Sequence, residues 1–167
     1  MGRIASFLLF LIVLATSAAQ AEVFRYGLDV LDAEQCVALQ GRRVGMITNA
    51  AVVSRSGEPG YCVLLRDGVD LNFLMAPEHG FALERQAGEV VGNSEVVGKI
   101  AVYSLYGKSR RPDPELLKTI DVLVFDLQDA GVRCYTYIST MKLAMEVCRE
   151  VGITFMVLDR PNPIAPL

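Results

Sequence analysis

The chain has 167 residues, a formal net charge of −3 and 52% hydrophobic residues. That is about one domain's worth of chain with ample material for a core, which excludes a disordered protein. Sixteen Lys and Arg stand against nineteen Asp and Glu with no basic block, so nucleic acid is not expected as a partner.

The first stretch, MGRIASFLLFLIVLATSAAQA, carries one early positive charge and an apolar run too short for a bilayer span of ~20 residues. The small-x-small run Ala19-Gln20-Ala21 follows, so residues 1–21 read as a secretory signal peptide cleaved after Ala21. An uncleaved anchor is the alternative. The expected product is exported, periplasmic or secreted, with no stable membrane association after cleavage. Export permits disulfides, but Cys36, Cys62, Cys134 and Cys148 form no C-x-x-C pair. Cys36, Cys62 and Cys148 lie in helix-like apolar segments, and mostly buried thiols are expected rather than a disulfide framework.

Beyond the signal, helices and strands alternate. Asp32 can cap a short helix over AEQCVALQ, stopped by Gly41. RRVGMIT reads as a buried strand ending at Thr48-Asn49. The loop SRSGEPG leads to a helix over YCVLLRDG, and DLNFLMA is the next strand, delivering Pro77-Glu78-His79-Gly80. A long loop with Gly88, Gly92 and Gly98 precedes KIAVYSLYG. Pro112 and Pro114 bracket the start of a helix over PELLKTI, and DVLVFDLQD follows as a strand. The segment YTYISTMKLAMEVCREVG predicts the best-defined helix. Ile138, Met141, Met145 and Cys148 share its apolar face, and Lys142 with Glu146 forms a pair on another. Gly152 stops it, and ITFMVLDR is the last strand. Apolar strands separated by helices predict a three-layer, Rossmann-like α/β fold: a mostly parallel sheet with helices on both faces.

In such sheets ligands bind at the carboxyl ends of the strands. Thr48-Asn49, Glu78-His79, Tyr103-Ser104, Asp126-Gln128-Asp129 and Asp159-Arg160 all fall there, which predicts a shared polar cleft. No G-x-G-x-x-G follows the first strand, so no dinucleotide cofactor is expected. YGKS at 106–109 fails as a phosphate loop because Val102 stands where its first glycine is required. His79, Asp126 and Asp129 match no zinc or calcium spacing, and no metal is assigned.

APEHGF, YSLYG, DVLVFDLQDAGVRCYTYISTM and LDRPNPI together resemble the DUF1343 family of NamZ-type exo-β-N-acetylmuramidases, from about Gly27 to Ile164. The resemblance implies a two-domain glycosidase that removes terminal N-acetylmuramic acid from peptidoglycan fragments. Its N-terminal domain would be Rossmann-like, and its catalytic glutamate would fall on Glu78. The chemistry agrees: glycoside hydrolysis usually needs a carboxylic acid whose pKa is raised by burial. Glu78 leaves an apolar strand with Pro77 and Phe81 nearby to exclude water, and a neutral His79 can orient it. Asn49, Gln128 and Arg133 offer donors for hydroxyl, acetamido or lactyl carboxylate groups, and the Arg fork suits the carboxylate. Tyr135 and Tyr137 either stack on a sugar face or pack the start of the helix. Asp126, Asp129 and Glu89 are candidates for a second carboxylate; Asp126 and Asp129 alternatively cap the following loop. Arg160 completes the candidate substrate contacts.

Two departures from the family pattern stand out. Gly80-Phe81-Ala82-Leu83 replaces glycine, apolar, arginine, glycine, and the chain ends at IAPL. The expectation is therefore residues 22–167 as an N-terminal catalytic domain without the family's second domain, inactive or self-associating on its own. A non-catalytic exported domain that binds peptidoglycan fragments is the alternative.

Overall fold

The structure, a computed structural model, describes residues 24–84, 86, 95–107 and 109–164. The expected signal peptide and the candidate Glu89 lie outside the described residues. Strands β1 (Arg43–Ile47), β2 (Asp70–Ala76), β3 (Glu95–Val97), β4 (Ile100–Ser104), β5 (Val122–Phe125) and β6 (Thr154–Val157) form one sheet in the order β3-β4-β2-β1-β5-β6. Neighbours run parallel except for β3, which is antiparallel to β4 at the edge. The helices are α1 (Gly27–Ala33), α2 (Gly60–Arg66), α3 (Pro114–Leu117) and α4 (Tyr137–Val151), with a 3-10 turn at Val37–Leu39.

Strand alternation divides the core between two faces. Val44 and Met46, Leu74 and Ala76, Val122 and Val124 pack under Leu28 and Leu31 of α1 and Val63 and Leu64 of α2. Ile47, Phe73, Met75, Leu123 and Phe125 pack on the other face under Leu117 of α3 and Ala144 and Val147 of α4. Burial on both faces explains why these strands are apolar along their length, and it gives the expected three-layer α/β architecture. Gly45 interrupts β1 for a steric reason: an added Cβ would lie 2.6 Å from the Phe73 ring. The register also slips there. Val44 pairs with Leu71 and Gly45 with Phe73, so Asn72 is passed over and the far half of β2 is re-aimed toward Glu78.

Several elements differ from the sequence expectation. The helix expected over 33–40 is displaced: α1 starts at Gly27, and Gln35 and Cys36 take left-handed φ of 52° and 51°. The start is set by tertiary contact, which periodicity does not record. Gly27 N donates to the Asp159 carbonyl at 2.7 Å. A Cβ at Gly27 would come within 2.7 Å of the Leu158 backbone. Cys36 therefore sits in a turn, where burial pushes its thiol up to about 12. Cys62 is half-buried, Cys148 buried and Cys134 exposed, and all four are free thiols.

The long loop after Gly88 contains β3, joined to β4 by a Gly98-Lys99 turn in which Val97 pairs with Ile100. A strand of three residues leaves too short an alternation to read. Helix α3 is a single turn instead of 114–120, capped by the Asp113 carboxylate, which accepts from Glu115 N at 2.9 Å. Helix α4 buries only part of the face expected: Cys148 is buried and Met141 packs against the core, but Ile138 and Met145 do not face the sheet. Ile138 is 56% and Met145 49% exposed, while Tyr137, Ala144, Val147 and Cys148 face the sheet. Both stripes are apolar, and the smaller residues allow closer approach to β5 and β6. The expected Lys142–Glu146 pair forms, at 3.9 Å.

Candidate active site

The sheet order makes β1 the point from which the chain departs in both directions, to β2 and β4 on one side and to β5 and β6 on the other. A crevice at such a switch point, beyond the carboxyl ends of the strands, is where open α/β sheets hold ligands. β1 ends there in Thr48 and Asn49, β5 in Asp126, and β2 in Pro77 and Glu78.

Glu78 leaves from a fixed base. Thr48 N donates to the Met75 carbonyl at 3.0 Å and Leu105 N to that of Ala76 at 2.8 Å, extending the pairing on both sides of β2. A tight turn follows, closed by Gly80 N donating to the Pro77 carbonyl at 3.1 Å. His79 and Gly80 both take left-handed φ, 76° and 77°. For His79 this conformation costs ~1–3 kcal/mol and must be held by its surroundings. Ala50 N, donating to the Phe81 carbonyl at 2.8 Å, ties the turn to the loop after β1.

The turn leaves Glu78 buried, the residue as a whole 8% exposed. Thr136 Oγ1 donates to Glu78 Oε2 at 2.7 Å. The Tyr106 hydroxyl lies near enough to feel the Glu78 carboxylate. Arg110 Nη2 in turn donates to the Tyr106 oxygen at 3.2 Å, its guanidinium 4.7 Å from the centre of the Tyr106 ring. Burial, then the nearby Glu78, raises the Tyr106 pKa, so this group remains a neutral hydroxyl.

Sequence reasoning missed Thr136, Tyr106 and Arg110 as site residues. Thr136 stands between the two tyrosines singled out from sequence, at the N-cap of α4. A Thr there ordinarily accepts a bond from its own helix, whereas this one makes no side-chain cap. Tyr106 lies in the YSLYG motif that carried the resemblance, but nothing local to it pointed to Glu78.

Asn49 and Tyr137 join the same cluster. Asn49 Nδ2 donates to the Tyr137 hydroxyl at 3.0 Å, and its Oδ1 accepts from Ala51 N at 3.1 Å, which fixes the amide. Burial pushes the Tyr137 hydroxyl up to about 12, with Tyr135 and the charge of Glu78 adding to the effect. Tyr135 meets Tyr137 edge-on with ring centres 4.9 Å apart, and Tyr137 itself is buried.

The remaining candidates are arranged differently. Asp126 is fully buried and pairs fork to fork with Arg160, Nε to Oδ1 at 2.6 Å and Nη2 to Oδ2 at 3.1 Å. Arg160 Nη1 donates to the Val53 carbonyl at 3.1 Å, and the guanidinium lies 5.1 Å from the Tyr26 ring centre. Burial raises the Asp126 pKa, and Arg160 works against it. Gln128 Nε2 donates to the Asp129 and Pro161 carbonyls, both at 2.9 Å. Asp129 Oδ1 accepts from Gly131 N at 2.7 Å, the loop-capping role considered for it above. Arg133 is exposed and makes no ion pair among the described residues. A hollow of about 150 Å³ lies between Asp129, Tyr137, Met141 and Arg160. Among the described residues no group of three His, Cys, Asp or Glu is gathered for a metal ion.

The chain matches the family described as Exo-beta-N-acetylmuramidase NamZ, N-terminal, over residues 44–167. It is 49% identical over 140 residues to the peptidoglycan beta-N-acetylmuramidase NamZ of Bacillus subtilis (strain 168), an overlap of 82% of this chain and 34% of that protein. A crystal structure of a DUF1343 family protein from Bacteroides fragilis NCTC 9343 superposes with a TM-score of 0.76 at 44% identity, over 86% of this chain and 36% of that one. A second DUF1343 structure from the same organism gives 0.63 at 27% identity, over 83% and 35%. This chain thus spans about a third of the length of these relatives. With the match over residues 44–167 and the fold in common, the chain belongs to the exo-β-N-acetylmuramidase NamZ family, in the part described as N-terminal.

Proposed function

We propose that this chain forms the Glu78-bearing part of an exported glycoside hydrolase that removes terminal β-N-acetylmuramic acid from peptidoglycan fragments. Glu78 is its catalytic carboxylate. The observation that carries this reading is a buried glutamate, 8% exposed as a residue, whose carboxylate is met by a hydroxyl donor at 2.7 Å at the mouth of the sheet's switch point. The 49% identity to a peptidoglycan muramidase supplies the substrate class. Asn49 and Tyr137 line the sugar side of the cleft, and His79 braces the turn that presents Glu78. Arg133, exposed and without an ion pair among the described residues, takes the lactyl carboxylate. The substrate is a muropeptide or disaccharide, reached outside the cytoplasm after removal of residues 1–21.

The test is turnover of a chromogenic β-N-acetylmuramide by the protein carrying this chain. Glu78→Gln is isosteric and should lower kcat ~100- to 10,000-fold, the range supplied by one acid–base group, with the circular dichroism spectrum unchanged. Near-normal kcat in that variant removes Glu78 from the mechanism. Binding of the muramide without turnover by the unsubstituted protein would instead favour a fragment-binding domain.

A further inference from the structure

Resting on the assignment of Glu78 as the catalytic carboxylate, we propose that Arg110 is a specificity-determining residue on the leaving-group side of Glu78. Its guanidinium receives a carboxylate carried by the departing part of the peptidoglycan fragment, while Arg133 serves the sugar that is removed. Such a site favours a fragment whose leaving part carries a second muramyl carboxylate over one whose leaving part is neutral.

The sheet sets the two sides. β2, which delivers Glu78, lies between β1 and β4. On the β1 side stand Asn49 and Tyr137, the groups assigned to the removed sugar, joined by their bond at 3.0 Å. On the β4 side Ser104 pairs with Ala76, and Leu105 N donates to the Ala76 carbonyl at 2.8 Å. Two residues beyond that pair in each chain come Tyr106 and Glu78, close enough for the hydroxyl to feel the carboxylate. A catalytic carboxylate works at the scissile bond, which divides the removed sugar from the leaving group. With the sugar on the β1 side, the β4 flank faces what leaves.

Arg110 is seated on that flank with donors to offer. Its Nη2 donates to the Tyr106 oxygen at 3.2 Å, and the guanidinium lies 4.7 Å from the ring centre. The rest of its fork has no acceptor among the described residues, where it also makes no ion pair. Its neighbour shows the contrast. Arg111 Nη2 is committed to Glu150 of α4, at 2.7 and 2.8 Å, and pins the loop that carries both arginines. An exposed arginine ordinarily gives up rotamer freedom when it binds, whereas one stacked on an aromatic ring has already given up much of it. A planar fork with unused N–H groups matches a carboxylate through two parallel bonds, a match that a neutral sugar cannot make.

The test compares two ligands by calorimetry, in the protein carrying this chain and the Glu78→Gln substitution so that substrate persists. One is the disaccharide of N-acetylmuramic acid on N-acetylglucosamine, whose leaving sugar is neutral. The other is the trisaccharide extended by a second N-acetylmuramic acid, whose leaving part is anionic. The trisaccharide should bind about tenfold more tightly, the scale of a hydrogen bond to a charged group, and Arg110→Gln should erase most of that preference. Arg110→Lys keeps the charge without the fork and should fall between. No preference at the start, or one unchanged by Arg110→Gln, overturns the proposal. If that variant does not fold, an unchanged preference in Arg110→Lys overturns it instead. Release of free N-acetylmuramic acid during the titration would sink the catalytic reading of Glu78 whichever way the Arg110 comparison falls, so the two failures are distinguishable.

Discussion

Replacing Arg160 with Met keeps a long apolar stem but strands Asp126. The side chain of Asp126 is 0% and that of Arg160 6% exposed, so water cannot replace the lost partner. Three donated bonds vanish together: 2.6 and 3.1 Å to Asp126 and 3.1 Å to the Val53 carbonyl. Breaking a buried pair from one side costs ~3–5 kcal/mol, a large share of the ~5–15 kcal/mol that holds a domain together. Removing both charges, as Asp126→Ala with Arg160→Met, should recover much of that loss, because the penalty comes from the orphaned carboxylate.

Acid should also relieve the single variant. The folded pKa of Asp126 already stands above the ordinary 3.8 and rises further without Arg160. A carboxyl raised in this way keeps its proton in the native state first. Stability therefore falls as pH climbs from 3.8 through the raised value and recovers on the acid side. Urea unfolding of the wild type, both single variants and the double variant, each at pH 5 and pH 8, measures the coupling. A cost below ~1 kcal/mol for Arg160→Met, the range of an exposed pair, would refute the sealed ion pair. A rise in KM with stability unchanged would then mark Arg160 as a substrate contact.

Three further outcomes follow from the structure. Arg133→Ala should raise KM for a β-N-acetylmuramide while leaving that for the N-acetylglucosaminide unchanged; an equal effect on both sugars would exclude a lactyl contact. The Arg43 guanidinium holds the Asp121 carboxyl down at about 2 from an ordinary 3.8. The stabilisation is therefore present above pH 3.8 and lost as pH falls toward 2, and Arg43→Ala should flatten the Tm profile across that window. Ile138 and Met145 lie exposed beside a hollow of about 660 Å³ on the outer face of α4. The isolated chain should accordingly scatter light as an oligomer, and Ile138→Lys should lower its mass; a monomer at every concentration would count against an adhesive α4 face.

The parts of the fold legible in sequence were those where one physical demand dominates. RVGMI, DLNFLMA and VLVF are buried on both faces, so apolar continuity marked them. On α4, Cys148 and Met141 were placed correctly, but Ile138 and Met145 were misread because they are as apolar as Ala144 and Val147, which take the sheet side. At the site, strand ends located Glu78, Asn49 and Asp126. Pairing was beyond reach: Thr136 lies 58 residues from Glu78 and Arg160 lies 34 from Asp126. No local pattern distinguishes a guanidinium that will meet substrate from one committed to a buried carboxylate.

The N-cap of α4 has a consequence of its own. Thr136 has helical backbone angles, φ −91° and ψ −11°, rather than the extended ones of a capping residue, so its hydroxyl donates to Glu78 and does not cap the amides that open the helix. A first turn left in this state frays more readily. The bond to Glu78 is what anchors the side chain that opens the helix. The opening residues of α4 thus become a built-in gauge of that anchor. Their deuterium uptake should rise in Glu78→Ala, which removes the acceptor that anchors Thr136; unchanged uptake would show that the first turn is held without it.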